Sequence, residues 1–150
     1  LNEIKRNFKL ISIGTTCNIA DEELPFMDYE LMMERISKVK FTLLAFQSRT
    51  DPQYANDIYS LPNKFYDSLA AGTPVILDRR FVSMKKIVEE TQTGVVLDLV
   101  EPSKHSSSFL NDSEAYDRYL DNLSSNYDQF VWDSSKEDVF LDFVAAVLKS

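Results

Sequence analysis

Three residues in one short stretch have the types and spacing to do chemistry: Asn63, Lys64 and Asp67, within Ser-Leu-Pro-Asn-Lys-Phe-Tyr-Asp-Ser-Leu-Ala-Ala-Gly-Thr-Pro-Val-Ile-Leu-Asp at 60–78. Pro62 biases Leu61 to extended backbone, Asn63 can cap a helix, and Gly72 suits the left-handed position that ends one. A helix is therefore predicted over Lys64 to Ala71. Free N–H groups around Asn63 to Phe65, the helix dipole and the Lys64 ammonium would together suit a diphosphate. Asp67, one turn in, would accept from the vicinal hydroxyls of a ribose. The same spacing also fits a solvated i,i+3 ion pair between Lys64 and Asp67, worth about 0.2–0.5 kcal/mol.

These residues need a frame to hold them. At about 100° per residue, Phe65 and Leu69 share the packing face of the helix, and Lys64, Asp67 and Ala71 the opposite one. Thr73 to Asp78 reads as a strand buried on both faces of a parallel sheet. Upstream, Phe8 to Ile13 reads as a strand ending at Gly14, 15–23 as a loop holding Cys17, and Leu24 to Met27 as a short strand. Asp28 can cap a helix from Tyr29 to Ser37, whose Tyr29, Met32, Met33 and Ile36 recur at core spacing. Phe41 to Phe46 is another buried strand, and 47–61 a long loop whose Tyr54 and Tyr59 either roof the core or border a ligand.

Downstream, Arg79 and Arg80 follow the strand at the carboxyl end, where open α/β sheets place ligands; they are read either as phosphate or anionic-sugar contacts or as a solvated pair. Val82 to Gln92 is an amphipathic helix and Val95 to Leu97 a strand. The polar 101–108 segment carries His105, read as an exposed loop residue. Two helices close the chain, over Ser113 to Tyr127 and after a Ser134/Glu137 capping box. The predicted core is Phe8, Ile11, Leu43, Ala45, Val75, Ile76 and Val96 with Phe65, Leu69, Ile87 and Val88. The three glycines, 14, 72 and 94, all fall at element boundaries, where positive φ or a close approach is wanted.

With 150 residues and 44% hydrophobic content, the chain is expected to form one domain, 1–150, with a real core. A net charge of -8 argues against nucleic acid or an anionic membrane as partner. A lone Cys17 makes no internal disulfide, and no apolar run is long enough to span a bilayer, so a soluble cytoplasmic domain is expected. The Leu-Asn-Glu start reads as a piece of something longer. No metal-ligand spacing and no G-x-G-x-x-G occur, which argues against a metal centre and a dehydrogenase domain.

Pro62 to Ile76 resembles the donor-nucleotide motif of family 4 type glycosyltransferases with two Rossmann-like halves. It is closest to sugar transferases of capsule, O-antigen and exopolysaccharide synthesis, which carry Pro-Asn-Lys, an acidic residue and then Ala-Ala-Gly-x-Pro-Val. The resemblance implies an α/β, Rossmann-like three-layer domain with a mostly parallel sheet closed by C-terminal helices. It implies that Asp67 binds the ribose, that Pro62, Asn63 and Lys64 lie against the diphosphate with Phe65 among the donor-binding residues, and that Phe26 to Tyr29 lie near the base. Gly14, Tyr59 and Arg79 would surround that site. Tyr59 stands where many relatives have the first glutamate of a pair.

The implied function is that of the donor-binding half of a transferase, moving a sugar from a nucleotide diphosphate, most commonly UDP, to a hydroxyl acceptor. The nucleotide sugar is a substrate and no separate cofactor or metal is implied. The acceptor-binding N-terminal half is absent from this chain, and through it the enzyme would sit at the inner face of the membrane. Relatives begin this half with one further strand, central in the doubly wound order 3-2-1-4-5-6. Here the chain starts at what reads as the second strand, which would leave a gap, so that either the upstream part was removed or this sheet is ordered differently. The alternative function is a degenerate, non-catalytic module that holds a protein partner in a polysaccharide-synthesis complex.

Overall fold

The computed structural model describes residues 2–44, 55–99 and 112–149. In chain order the elements are α1 (Asn2–Asn7), β1 (Ile11–Ile13), β2 (Glu22–Leu24), α2 (Tyr29–Ile36), β3 (Thr42–Leu44), α3 (Ala55–Tyr59) and α4 (Asn63–Ala70). They continue with β4 (Val75–Asp78), α5 (Val82–Thr91), β5 (Gly94–Leu97), α6 (Ser113–Ser125), α7 (Tyr127–Phe130) and α8 (Ser134–Leu148). Every strand pair is parallel, as expected for an α/β, Rossmann-like protein. The strands form two sheets rather than one, β1-β2 and β3-β4-β5.

The larger sheet explains the apolar runs. Its register sets Thr42 beside Val75 and Gly94, Leu43 beside Ile76 and Val95, and Leu44 beside Leu77 and Val96. Because side chains alternate between faces, each strand supplies both sides of the sheet. One face gathers Leu44, Val75 and Leu77 with Phe65 and Leu69 of α4, Phe81, Met84 and Val88 around α5, and Leu123 and Phe130 of α6 and α7. The other gathers Ile76 and Leu97 with Ile4 of α1, and Phe8, Phe41, Leu43 and Val95 pack against them. All four residues of β4 are buried, which marks it as the central strand.

Gly72 and Gly94 do the work their positions suggest. Gly72 has φ +74° after the end of α4. A Cβ at Gly94 would lie 2.8 Å from Val75 Cγ2 and 2.9 Å from Val75 N, so β5 can pair with β4 here only without a side chain.

Several expectations are corrected. The polar 2–7 segment is helical, anchored by buried Ile4. The second strand is Glu22–Leu24, not Leu24 to Met27, because its acids have partners: Glu22 pairs with Lys9, and Glu23 accepts from the Cys17 N–H at 2.8 Å. Helix α2 has the expected extent but buries none of its residues fully, so its stripe is not core. The 47–61 loop contains α3, and Tyr54 and Ala45 lie outside the described residues. Ile11 is half-buried and belongs to neither core cluster. The cap of α8 is Asp133, which accepts from the Lys136 N–H at 3.0 Å, rather than Ser134. His105 also lies outside the described residues.

The two long C-terminal helices, α6 and α8, differ. Ala115 and Leu123 of α6 are buried, whereas α8 buries no residue along its 15. Among the described residues no helix is long and apolar enough to cross a membrane.

Candidate functional site

The strand-to-helix turns place the candidate residues along one rim. Gly14 follows β1, Phe26 to Tyr29 follow β2, and Arg79 follows β4, all at carboxyl ends. Helix α4 precedes β4 and returns against it, so its first turn reaches the same rim. This is the edge where open parallel sheets present ligand sites, because helix starts and strand ends converge there.

Asn63 is the first residue of α4, not its cap; Pro62 occupies the cap position in extended backbone (φ -72°, ψ 151°) and offers no side-chain bond. The Phe65 N–H donates to the Pro62 carbonyl at 2.9 Å, so it is spent within the turn, and the Phe65 ring is wholly buried. Phe65 therefore anchors the helix to the core and has no side-chain surface for a ligand. Asn63 and Lys64 are exposed. Part of the Lys64 side chain is packed closely enough that desolvation lowers its pKa from the ordinary lysine value. Asn63 and Lys64 thus lie on the surface at the start of α4, and Phe65 does not.

Asp67 is half-buried, and its Oδ1 accepts from the Tyr29 hydroxyl at 2.9 Å. Hydrogen bonding to Asp67, followed by desolvation, raises the Tyr29 phenol above its ordinary value. The bond crosses from α2 to α4 and fixes the carboxylate's direction. Among the described residues the carboxylate makes no second hydrogen bond. Lys64 and Asp67 are not joined in an ion pair, which removes the solvated-pair reading. Tyr29 was expected only as a neighbour of the base or a core residue. Its hydroxyl role was hidden because a tyrosine at an apolar helical position scores as packing.

Gly14 takes φ +71°, and its N–H donates to the Leu24 carbonyl at 3.0 Å. A side chain there would meet the Phe26 ring at 2.9 Å, and Phe26 is itself 89% exposed. An exposed aromatic ring therefore lies beside Gly14 at the end of β1. Tyr59 ends α3 with its ring exposed, and its carbonyl accepts from the Ser83 hydroxyl at 2.9 Å. That bond ties α3 to the start of α5, also at the rim.

The arginines are not a plain solvated pair. Arg79 contacts the buried Asp98 at 2.7 Å, and Arg80 grips the buried Asp78 through Nε at 2.8 Å and a second nitrogen at 3.2 Å. Asp78 also accepts from the Arg80 N–H at 2.9 Å and the Leu99 N–H at 3.2 Å. Two buried carboxylates at the ends of adjacent strands thus hold both guanidinium groups. Asp98 was missed from sequence; the available signal was an aspartate closing each of two neighbouring apolar strands.

Elsewhere, a cleft of about 340 Å³ opens between α5, β5 and α6, lined by Val88, Glu89, Gln92, Gly94, Val96 and Tyr119 among others. It lies at the amino end of β5, opposite the rim, and contains none of the predicted site residues. Among the described residues no group of acids, histidines and cysteine could hold a metal ion. No protein-family model matches the chain, and no curated protein is significantly similar to it.

Proposed function

We propose that the chain is the donor-binding half of a glycosyltransferase, taking a nucleotide diphosphate sugar, with UDP as the nucleotide, at the start of α4. The observation that carries this reading is Asp67, one turn into α4 at the carboxyl rim, with one oxygen held by Tyr29 and the other left as an acceptor. In this reading Oδ2 accepts from a ribose hydroxyl, and the Tyr29 bond keeps the carboxylate from turning toward water. Breaking the bond to the sugar leaves charge on the diphosphate, which Lys64 and the first N–H groups of α4 stabilise. Arg79 contributes less than its position suggests, because Asp98 already neutralises it. The Phe26 ring beside Gly14 gives the base a surface to stack on. Transfer to a hydroxyl acceptor in polysaccharide synthesis would need the acceptor-binding half as well.

Calorimetric titration with UDP, UMP, GDP and ADP tests the reading. Asp67→Ala removes a charge-assisted hydrogen bond worth about 1.5–3 kcal/mol, so UDP affinity is expected to fall roughly ten- to a hundredfold. Lys64→Ala should weaken UDP more than UMP. Binding of no nucleotide by the wild type would reject the donor site.

The alternative is a non-catalytic module that holds a protein partner. It is favoured by α8, where Val139, Phe140, Leu141, Phe143 and Val147 are all more than half exposed. A helix apolar on most sides is normally covered. Under this reading, nucleotide titrations are silent.

A further inference from the structure

The cleft between α5, β5 and α6 brings apolar surface, open backbone groups and two opposite charges together. Its volume of about 340 Å³ lies at the small end of ligand sites, which run from about 300 to 1,000 Å³. That suits a molecule of amino-acid size rather than a nucleotide sugar. Val88 and Val96 supply apolar lining, and Tyr119 adds an aromatic ring. Gln92 also lines the cleft, and its carbonyl accepts from the Asn122 side chain at 3.1 Å. That bond ties the end of α5 to α6 and so sets the spacing of the two helical walls.

The third wall is a strand edge. β5 ends the larger sheet; the Val75 N–H donates to the Thr93 carbonyl at 3.3 Å, and the Arg79 N–H to the Leu97 carbonyl at 2.7 Å. Because backbone groups alternate in direction along a parallel ladder, residues 93, 95 and 97 face β4, while Gly94 and Val96 turn theirs outward. These are the two β5 residues that line the cleft, and no strand of the described residues pairs with their outer side. The charges sit on the opposing helices. Glu89 lies in the last turn of α5, where the helix dipole is negative, and Arg118 lies on α6. Lys85 meets Glu89 only loosely, at 3.7 Å with both side chains exposed, and Arg118 pairs with no carboxylate among the described residues. Glu89 and Arg118 therefore border one cleft without joining each other.

We propose that this cleft binds a free α-amino acid with an apolar or aromatic side chain, at a site separate from the rim. The ligand's ammonium lies toward Glu89 and the negative end of α5, and its carboxylate toward Arg118. The outward groups of Gly94 and Val96 complete both ends, N–H donating to the carboxylate and carbonyl accepting from the ammonium. Its side chain packs on Val88 and Val96 beside the Tyr119 ring. A ligand with one charge would leave the opposite wall unpaired, so the zwitterion is selected over the amine or the acid alone. An extended peptide fits less well, because the edge offers only two outward residues and a peptide replaces both charges with neutral amides.

The probe is L-phenylalanine, titrated into the whole chain and read by amide chemical shifts. Phenethylamine and 3-phenylpropionate carry one charge each, and N-acetyl-L-phenylalaninamide carries none. The proposal expects saturable shifts centred on Gly94, Val96 and Tyr119, with each control roughly fivefold weaker or more. Arg118→Met is expected to weaken L-phenylalanine by a similar factor and to leave phenethylamine unchanged. Glu89→Gln is expected to weaken L-phenylalanine likewise and to leave 3-phenylpropionate no weaker. Both side chains are exposed, so both variants should keep the wild-type melting temperature. No saturation up to the solubility limit of the amino acid would overturn the proposal, as would shifts centred on the first turn of α4 or unchanged affinity in either variant. A singly charged control binding as tightly as L-phenylalanine would also overturn it. Equal or tighter binding of the uncharged amide would do the same, by making the edge a peptide site.

Discussion

Gly94→Ala tests whether the close approach of β5 to β4 is a packing requirement. The added methyl would fall well inside contact distance of the Val75 carbonyl oxygen, 2.8 Å from Val75 Cγ2 and 2.9 Å from Val75 N. Two of those three atoms are backbone in the central strand, so no rotamer change relieves the clash and β5 must move away. Separation stretches the bond from the Val75 N–H to the Thr93 carbonyl, already 3.3 Å, whose loss costs about 1 kcal/mol. Forcing the strands apart under Val96 and Val88 adds the usual overpacking cost of about 1–3 kcal/mol. The expected destabilisation is about 2–4 kcal/mol, or a fall in Tm of roughly 6–12 °C for a chain of this size. The assay is thermal and urea unfolding of both proteins. Gly72→Ala is the control: no atom lies within 4 Å of a Cβ there, so only its φ of +74° matters, at about 1–2 kcal/mol. A Gly94→Ala protein melting within about 2 °C of wild type would refute the steric argument. A loss at 94 no larger than that at 72 would show that the contact with Val75 costs no more than a positive φ.

Other perturbations read other parts of the fold. Asp78→Ala removes the acceptor for two backbone N–H groups and the partner of Arg80, and is expected to cost about 3 kcal/mol by urea unfolding, since Arg80 keeps some solvent contact. A loss below about 1 kcal/mol would show that water replaces the carboxylate. Acid should loosen α8: the Ser135 hydroxyl and then the Lys136 N–H hold the Asp133 carboxyl below its ordinary value. A depressed carboxylate stabilises the fold fully above its unfolded value, and that contribution is lost as pH falls through the folded value. Helicity by circular dichroism should therefore decline on acidification more in wild type than in Asp133→Asn, which keeps a cap acceptor that does not titrate. Parallel decline of the two proteins would contradict it.

What the sequence made legible follows from where the signals come from. Val75, Ile76 and Leu77 are buried because an uninterrupted apolar run has few other fates, and the α4 and α5 stripes put Phe65, Leu69, Met84 and Val88 where periodicity requires. The short elements were misread because partners decide them. Glu22 and Glu23 look like loop until Lys9 and the Cys17 N–H are seen to satisfy them, and α1 is polar apart from the one leucine-sized anchor at Ile4. Asn63, Lys64 and Asp67 were visible as a set because they lie within five residues. The bonds that decide what they and their neighbours can do span longer separations: Tyr29 to Asp67 is 38 residues, and no local pattern reports it. Arg79 and Arg80 show the same limit, since their charge is visible in sequence and its neutralisation by Asp98 and by a buried Asp78 is not.

That neutralisation shapes what the rim can attract. The chain carries a net charge of -8, so an anionic ligand approaching at long range meets repulsion, and any attraction must come from a few fixed groups at short range. With Arg79 and Arg80 each bound to a buried carboxylate, the ends of β4 and β5 present two dipolar pairs rather than two positive charges. Such pairs hold the backbone beyond β4 and beyond β5 in place, because Asp78 also accepts from the Arg80 and Leu99 N–H groups, and they leave little field for a phosphate. At the first turn of α4 the helix dipole and the Lys64 side chain lie together on the same rim. Desolvation works in the same direction. A lysine whose packing already disfavours its charge gains more from a bound anion than a fully hydrated one would, because the anion returns the stabilisation that water no longer supplies.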